Sequence, residues 1–575
     1  MAQLGDRLRA LLGRTRAPAP SKTVISTHSE RKVVVSSILV LLLIGLPLWW
    51  TTTRVYRAAL PAGDINKYVP TDALHIPVYF HIDADSTLPS VVAGIQKTVQ
   101  ALVAKSRAPY GSDEWRVQYS PVVTRGKAPP DTPGHYTLRV VRSNTADHSV
   151  DVHPDRSAVI TLPASPQPSA RQTEQTVARV VAAIVSREER AVREAQTRGT
   201  QKTHQQNSPS RGALRFAPHI SVTLTLLNEN PVGGAQVDWE IEHAVAEFLQ
   251  PLVDALHPLT KLSVTSQVLH HAGPPPITPI VRNNATFLTP PMLSHFVNSP
   301  SWNLASVDPV APMLNFVLYV PALASQPVHI LESANKDAVP VVTDAFSVPQ
   351  WGGIAIANLP LRTTPGSKVV LSSKDLQKHM GVFVAQLRSL LGIRNDAPLA
   401  PTPDSNPRTK GHFEGRSVRV QRASETGVSG WELDALMRQW MIQGRQTAIT
   451  TLQSLVRLVD SLQNMVVMDD IKTQVEQSLT ALTEVDTSLN QPLSSSSTNH
   501  LAAFTAAARA VVLAETAFFD PSMVSMLYFP DQHKYAIYFP FFLPAAIPVL
   551  SAIKRLVAQR KARAASEDAS AKKND

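Results

Sequence analysis

The 575-residue sequence contains no cysteine. This absence excludes disulfide bonds, zinc sites with thiolate ligands and cysteine nucleophiles. A chain of this length still has room for two or more domains, each with a hydrophobic core.

The motifs of common enzyme sites are also missing. The sequence has no G-x-x-x-x-G-K-[ST], G-x-S-x-G, H-E-x-x-H or G-x-G-x-x-G pattern. No combination of nucleophile, base and oxyanion site is recognisable in it. We therefore predict no catalytic residue, no cofactor and no metal site.

The net charge of +10 is concentrated at the two ends of the chain. Residues 1–32 hold seven Lys/Arg and two Asp/Glu, and residues 554–575 hold seven and three, so the remaining 521 residues sum to +1. A nucleic-acid-binding protein carries its basic charge on a folded domain. We therefore exclude nucleic acid as a partner and attribute the charge to membrane topology.

The first of two long apolar runs covers residues 33–50 and directly follows two basic residues. As a helix, a run of this length rises about 27 Å, close to the hydrocarbon thickness of a bilayer. Trp49 and Trp50 lie where interfacial aromatic residues occur in membrane helices. A cleaved signal peptide is the alternative, but the basic leader is long and no small-x-small cleavage site follows. We predict a retained transmembrane helix over residues 33–51.

The second apolar run, residues 536–553, contains Pro540, Pro544 and Pro548. These prolines would disrupt a soluble sheet, because each lacks a ladder N–H, whereas on a helix they share one face. A removable GPI-attachment signal is the alternative, but such a signal ends with its hydrophobic stretch, and this chain continues for 22 residues. We predict a kinked transmembrane helix over residues 535–553, with a proline face that packs on neighbouring helices.

The basic tails set the expected topology. The positive-inside rule places residues 1–32 and 554–575 in the cytoplasm and residues 54–534 on the other side of the membrane. The lone N-x-[ST] triplet begins at Asn284, in this large middle part, and suits an endoplasmic reticulum (ER) lumen. We predict a two-span ER membrane protein with cytoplasmic termini, a lumenal domain and glycosylation at Asn284.

Strand-like and helix-like stretches alternate through the middle part and predict two α/β modules in series. Module 1 is expected at 54–197, followed by a polar linker at 198–211 and by module 2 at 215–393. Whether the modules are repeats of one another stays open at this stage. The expected strands are 76–82, 115–123, 136–141, 158–163, 219–231, 261–271, 313–321 and 338–346, and the expected helices are 88–106, 170–196, 237–256 and 375–393.

The pattern changes after module 2. Residues 394–425 are rich in Pro, Asn and Arg, which predicts a mobile loop. Residues 426–534 have helical periodicity and form a lumenal helical segment that leads to the second span. The predicted fold is thus an α/β lumenal domain, with two modules and a C-terminal helical segment, bracketed by two transmembrane helices.

Two short motifs keep other readings open. Asp83 and Asp85 follow a predicted strand and could hold a divalent ion and a nucleotide sugar, although carboxylates at a strand end are also ordinary turn residues. A membrane-anchored, ER-lumenal glycosyltransferase using Asp83 and Asp85 is therefore the enzymatic alternative. Trp351, Gly352 and Gly353 predict a close backbone approach beside an aromatic ring, with a partner contact as the alternative.

Several longer sequence segments, called words below, resemble segments of the PIG-S family, the class S subunit of the GPI transamidase. They occur in the same order as in that family. They cover both apolar runs, module 2 and the helical segment, whereas residues 62–215 and 394–425 show no match by eye. The words are GLPLWWTTTRVYRAALP (45–61), LLNENP (226–231), VDWEIEHAV (237–245), LNFVLYVPALA (314–324), WGGI (351–354), FVAQLRSLLGI (383–393), GWELDALM (430–437) and FFDPSMVSMLYFPDQHKYAIYFPFFLPAAIPVL (518–550).

The resemblance implies an ER membrane subunit of the complex that attaches preformed GPI to the C-terminus of precursor proteins. In that family the cleavage chemistry belongs to a separate cysteine-protease-like subunit, PIG-K, and the class S subunit works beside PIG-T, PIG-U and the GPI-anchor attachment protein. The resemblance implies no catalytic residue and no cofactor. It implies a scaffold, with the precursor protein and the GPI lipid as further candidate partners.

Overall fold

The structure is a computed structural model of the chain. It describes residues 36–41, 43–45, 47–48, 51, 56–68, 74–84, 91–108, 117–144, 149–163, 169–198, 214–229, 236–272, 279–282, 285–297, 302, 311–322, 325–331, 342–359, 368–393, 417–462, 465–490, 499–525 and 531–571. Contacts divide the chain into two units. The first unit comprises Met1–Ala59, Arg457–Lys472 and Asp520–Asp575, and the second comprises Leu60–Val456 and Thr473–Phe519.

All strands in the described part of the chain belong to the second unit. They pair into sheets of six, five, four and two strands. Their bounds are β1 Leu74–Ala84, β2 Val117–Arg125, β3 His135–Ser143, β4 Ser149–Val152, β5 Ser157–Pro163, β6 His219–Asn228, β7 Gln236–Trp239, β8 Lys261–His270, β9 Ile280–Arg282, β10 Ala285–Leu288, β11 Met313–Val320, β12 Val328–Leu331, β13 Val342–Thr343, β14 Ala345–Val348, β15 Gly352–Ile356, β16 Lys368–Leu371 and β17 Ser417–Val420.

Helices follow the strands of each module and then dominate the C-terminal part. A π-helical turn at Val245–Leu249 joins α4 to α5. The helix bounds are α1 Ala62–Lys67, α2 Val91–Arg107, α3 Ala170–Arg198, α4 Ile241–Ala244, α5 Gln250–Leu256, α6 Pro290–Val297, α7 Ser373–Leu391, α8 Gly430–Ser461, α9 Asp469–Asn490, α10 Asn499–Phe518, α11 Pro521–Ser525 and α12 Asp531–Ala571.

Module 1 is built on the six-stranded sheet, in the order β17-β4-β5-β3-β1-β2. β1 runs parallel to β2 and β3, β3 runs parallel to β5, and β4 is antiparallel to β5. Burial alternates along β2 and β5, as expected for strands with one strongly buried face. The last strand, β17, pairs in parallel with β4 and lies within the segment predicted as a mobile loop.

Module 2 is built on the five-stranded sheet, in the order β14-β15-β11-β6-β8. β6 is parallel to β8 and β11, β11 is parallel to β15, and β14 is antiparallel to β15. β6, β8, β11, β15 and β14 thus repeat the order and direction of β1, β2, β3, β5 and β4. The two large sheets therefore share one order and direction over these five strands.

The central strands of module 2, namely β6, β11 and β15, are buried along nearly their whole length because both faces of the sheet are covered. β11 has only one residue, Met313, that is not buried. Leu314, Phe316 and Leu318 belong to a large hydrophobic cluster that also includes residues of module 1 and of α8 and α10. Val317 and Tyr319 belong to a smaller cluster on the opposite face.

In the described part of the first unit, residues 56–58 pair with residues 467–469. The backbone N–H of Ala58 donates to Val467 O at 2.9 Å, and that of Val467 donates to Tyr56 O at 3.2 Å. The Tyr56 hydroxyl also donates to Asp469 Oδ1 at 2.8 Å. The segment that follows the first apolar run is thus held between the end of α8 and the start of α9.

The two predicted membrane spans are not confirmed. Among the described residues, one helix, His500–Met523, is long and apolar enough to cross a membrane, but 44% of its most apolar window is buried inside the protein. A bent pair, Ala536–Pro544 and Ala546–Ala562, would be a second span if its halves count as one helix. The first predicted span is represented by a shorter apolar helix, Ser36–Gly45.

The remaining sequence predictions have mixed outcomes. The mixed α/β fold with a helical C-terminal region is confirmed. The helix expected at 237–256 begins only at Ile241, because Gln236–Trp239 pairs with β16 as a strand instead. The proline-containing helix is bent by 46°, as prolines within a helix predict.

Candidate functional site

Within the described residues, buried polar side chains join the two modules to the helical segment. Most of these contacts are made by the start of α8. Trp431 stacks on Tyr136 of β3, with ring centroids 4.0 Å apart and an interplanar angle of 7°. Its indole N–H donates to His153 O at 3.0 Å. This pair fixes the first turn of α8 against module 1.

Asp434, one turn further along α8, is buried with 1% relative exposure. Its carboxylate accepts hydrogen bonds from the Arg156 guanidinium at 2.8 and 3.0 Å and from the backbone N–H of Gly134 at 2.9 Å. A buried carboxylate is tolerated only where such partners replace water. Asp434 therefore defines where α8 meets the loops before β3 and β5.

Arg438 follows one turn later and is also buried, with 1% relative exposure. It donates to Glu188 of α3 at 2.8 Å and to the Tyr136 hydroxyl at 3.0 Å. Burial raises the pKa of Tyr136 well above its usual range, so its hydroxyl stays protonated. The three side chains tie α8 to the last helix of module 1.

The same turn of α8 also contacts module 2. Ser429 and Glu432 form a capping box: the Ser429 backbone N–H donates to Glu432 Oε2 at 2.8 Å, and the Glu432 N–H donates to Ser429 Oγ at 3.4 Å. Arg388 of α7 donates to Glu432 Oε1 at 2.7 Å and to the Gly427 carbonyl oxygen. The word GWELDALM therefore supplies contacts to both modules, and we call residues 429–438 the junction.

Three histidines lie near the junction. His500 of α10 donates from Nε2 to Pro77 O at 2.6 Å, and His81 and His135 share a hydrogen bond of 2.9 Å. Burial, and then the nearby Arg438 charge, lowers the pKa of His500 to about 4. Burial, and then the charge of His81, lowers the pKa of His135 to about 4. Both imidazoles are therefore neutral at the pH of the cell.

A second polar centre lies in module 2, at the carboxyl ends of β6 and β11. This is the point at which the strand order reverses, where ligands bind in many open α/β sheets. Glu229, at 8% relative exposure, accepts from the Tyr319 hydroxyl at 2.6 Å and from the Ala322 N–H at 2.8 Å. Burial, followed by the Glu229 charge, raises the pKa of Tyr319. The words LLNENP and LNFVLYVPALA meet here, and their polar groups hold the two loops together.

The word WGGI also has a structural explanation. Gly352 has φ +144°, and a Cβ there would clash with the Asn315 carbonyl oxygen. A Cβ at Gly353 would clash with the Gln386 amide of α7, which donates to Phe346 O at 2.9 Å. The predicted close backbone approach is therefore present, and Trp351 beside it is partly buried.

An open cleft of about 780 Å³ lies in the second unit, beside α1 and α9. Four of its charged side chains pair with one another: Arg445 donates to Asp486 at 3.2 Å, and Lys67 donates to Asp64 at 2.6 Å. The Arg445 guanidinium also lies 5.8 Å from the Tyr68 ring centroid. These contacts favour a structural cleft over a ligand site.

A profile of the family described as "Phosphatidylinositol-glycan biosynthesis class S protein" matches residues 36–563. This chain belongs to the PIG-S family. Two relatives with the name "GPI-anchor transamidase component PIGS" are 31% identical to it: the Homo sapiens protein over 552 residues (91% of this chain, 94% of the relative) and the Bos taurus protein over 546 (90% and 93%). The "GPI transamidase component PIG-S homolog" of Schizosaccharomyces pombe is 26% identical over 545 residues (93% and 86%).

Of the two residues of the glycosyltransferase alternative in this PIG-S chain, only Asp83 is described. Asp83 sits directly opposite Arg139 in the register of β1 and β3 and accepts from its Nε at 3.4 Å. Asp85 lies outside the described residues. No group of three or more His, Asp and Glu side chains that could hold a metal occurs in the described part of the chain.

Of the other positions predicted for this PIG-S chain, the structure describes the three prolines and not Asn284. Asn284 lies outside the described residues. Pro540, Pro544 and Pro548 are all exposed on α12. Sequence reasoning missed the junction, although its capping-box spacing, Ser429 followed three residues later by Glu432, is a visible helix-start signal.

Proposed function

We propose that this chain is a non-catalytic accessory subunit of the GPI transamidase complex in the ER membrane. It supports the attachment of preformed GPI to precursor proteins that other subunits process. The observation that carries the proposal is similarity along nearly the whole chain to proteins with the name GPI-anchor transamidase component. The lack of any cysteine agrees with cleavage chemistry on another subunit.

The proposed partners are PIG-K, PIG-T, PIG-U and the GPI-anchor attachment protein, with the precursor and the GPI lipid as transient ones. Tagged chain should be purified from detergent-solubilised ER membranes and its stable partners identified by mass spectrometry. Recovery of the other transamidase subunits supports the proposal. A preparation that contains this chain without any of them would overturn it.

The proposed topology has two spans, cytoplasmic termini and a lumenal middle part. In sealed microsomes, added protease should trim residues 1–32 and 554–575 and leave residues 54–534 intact. The wild-type chain should shift on endoglycosidase treatment, and Asn284→Gln should not. Digestion of the middle part in intact vesicles would contradict this topology.

The exposed prolines of α12 supply the proposed packing surface for neighbouring membrane helices. Replacing Pro540, Pro544 and Pro548 by leucine should straighten the helix and weaken co-purification of the other subunits. Phe539→Leu with Ile547→Leu is the matched control, because it changes apolar residues and keeps every proline. Equal recovery from both variants would remove the prolines from the proposal.

A further inference from the structure

The outer edge of module 1 is closed by side chains. In β2, alternate residues direct their backbone groups away from β1, and helices α2 and α3 supply partners for them. The Tyr119 N–H donates to Glu189 at 2.6 Å, and Tyr119 O accepts from Arg107 at 2.9 Å. The Val123 N–H donates to Gln96 at 2.7 Å, while Pro121 has no N–H and its carbonyl accepts from Gln96 at 2.9 Å.

β8 occupies the equivalent place in module 2. The Lys261 N–H donates to Pro218 O, so the odd-numbered residues of β8 pair with β6 and the even-numbered residues direct their N–H and C=O groups outward. Within the described part of the chain, these outward backbone groups have no hydrogen-bond partner. The outward residues are Leu262, Val264, Ser266, Val268 and His270.

An open edge of this length is unusual in a stable protein, because it is a template for pairing with another chain. Of the other edge strands of the two large sheets, β14 and β17 have four residues each, and β2 has nine but is closed by side chains, whereas β8 has ten. Residues 262–270 include no Asp, Glu, Lys or Arg. The usual protections of an edge, namely short length, proline and charge, are therefore missing along most of β8.

We propose that β8 is a docking edge at which an extended, uncharged segment of another protein adds as a sixth strand of the module 2 sheet. Main-chain hydrogen bonds to the outward groups give the binding energy, and the neutral composition of residues 262–270 favours an uncharged partner segment. The inference rests on the proposed function, which places other proteins beside this chain.

The absence of cysteine makes a direct test possible. Ser266→Cys introduces a single thiol at the exposed, outward position of β8, and Arg125→Cys introduces one on the closed edge of module 1 as the control. Each full-length variant is purified from membranes in its complex, labelled with a benzophenone maleimide and irradiated. We expect Ser266→Cys to cross-link to one short segment of another subunit and Arg125→Cys not to do so.

Proline substitutions test the backbone hydrogen bonds. The double variant V264P/V268P in the Ser266→Cys background removes two outward N–H groups and none that pair with β6, as Pro121 does naturally in β2. Val264 and Val268 also pack against the large hydrophobic cluster, so this variant should unfold cooperatively at a midpoint lowered about as much as that of V264A/V268A, and it should lose the adduct by roughly tenfold. V264A/V268A in the same background keeps both N–H groups and should retain the adduct.

Several outcomes would overturn the inference. These are a Ser266→Cys adduct no stronger than that of Arg125→Cys, an adduct with a second copy of this chain, and full cross-linking of V264P/V268P. Co-purification of the unlabelled wild-type chain separates this inference from the proposed function. If the other subunits are recovered and no adduct forms, only the docking edge is wrong, whereas recovery of none of them refutes the proposed function.

Discussion

Single buried charges determine how α8 sits on module 1. Asp434 and Arg156 are 278 positions apart in the sequence, and Arg438 and Glu188 are 250 apart. A buried ion pair adds little net stability compared with apolar packing, but removing one partner leaves an uncompensated charge. These pairs therefore act mainly by selecting one docking geometry.

Asp434→Ala is expected to lower the free energy of unfolding by about 3–5 kcal/mol, because the Arg156 guanidinium and the Gly134 N–H would lose their partner inside the protein. Chemical denaturation of the purified chain measures the change. Glu484→Ala, which breaks the exposed pair with Arg509, is the matched control and should cost at most about 1 kcal/mol. Equal losses from the two variants would show that burial of Asp434 has no energetic role.

The buried His500 makes the stability depend on pH. Its pKa is lowered from 6.5 to about 4 in the folded chain, so the unfolded chain binds more protons between these values. The contribution of neutral His500 is complete above pH 6.5 and is lost as the pH falls towards 4, by up to about 3 kcal/mol. The free energy of unfolding of His500→Gln should fall less steeply over this range than that of the wild type. The exposed His257→Gln is the control and should leave the wild-type slope unchanged.

At the scale of elements, the tight contact between β11 and β15 depends on glycine. Gly352→Ala should destabilise the protein by more than about 2 kcal/mol, because the residue has a positive φ and its Cβ would clash with Asn315. Gly381, within α7, has open space around its Cβ position, so Gly381→Ala should stabilise by about 0.5–1 kcal/mol. Opposite shifts of the two unfolding midpoints are the expected result, and a stabilised Gly352→Ala would contradict it.

Prediction of helices and strands from the sequence succeeded where neighbouring residues carry a clear signal, such as a hydrophobic run or a helix cap. The strands at 74–84 and 219–228 are rich in Val, Ile and Leu, and α7 has a capping box at Ser372 and Asp375 and a left-handed Gly392 at its end. It failed for β7 and β17, because four-residue strands are defined by partners far away in the sequence. The junction was missed for the same reason, since its ion pairs join residues that no local pattern connects.

At the scale of the whole molecule, the second unit has a hydrophobic cluster to which both modules and the helical segment contribute. A fragment of residues 60–393 would expose Tyr136 and leave Arg156 and Glu188 without α8. We expect it to be insoluble or to unfold without a cooperative transition, as judged by calorimetry. The matched fragment 60–519 keeps the junction and should unfold cooperatively. A stable, cooperative 60–393 fragment would show that the modules do not depend on α8.

The position of β17 has a consequence for synthesis. The sheet of module 1 receives its last strand about 250 residues after β5 has been made, when all of module 2 has already been translated. At ordinary elongation speeds this delay is on the order of 10–50 s. During that interval the outer edge of β4 lacks its partner strand and is available to any neighbouring extended chain, so a nascent polypeptide would need chaperone shielding at β4 until β17 has been made.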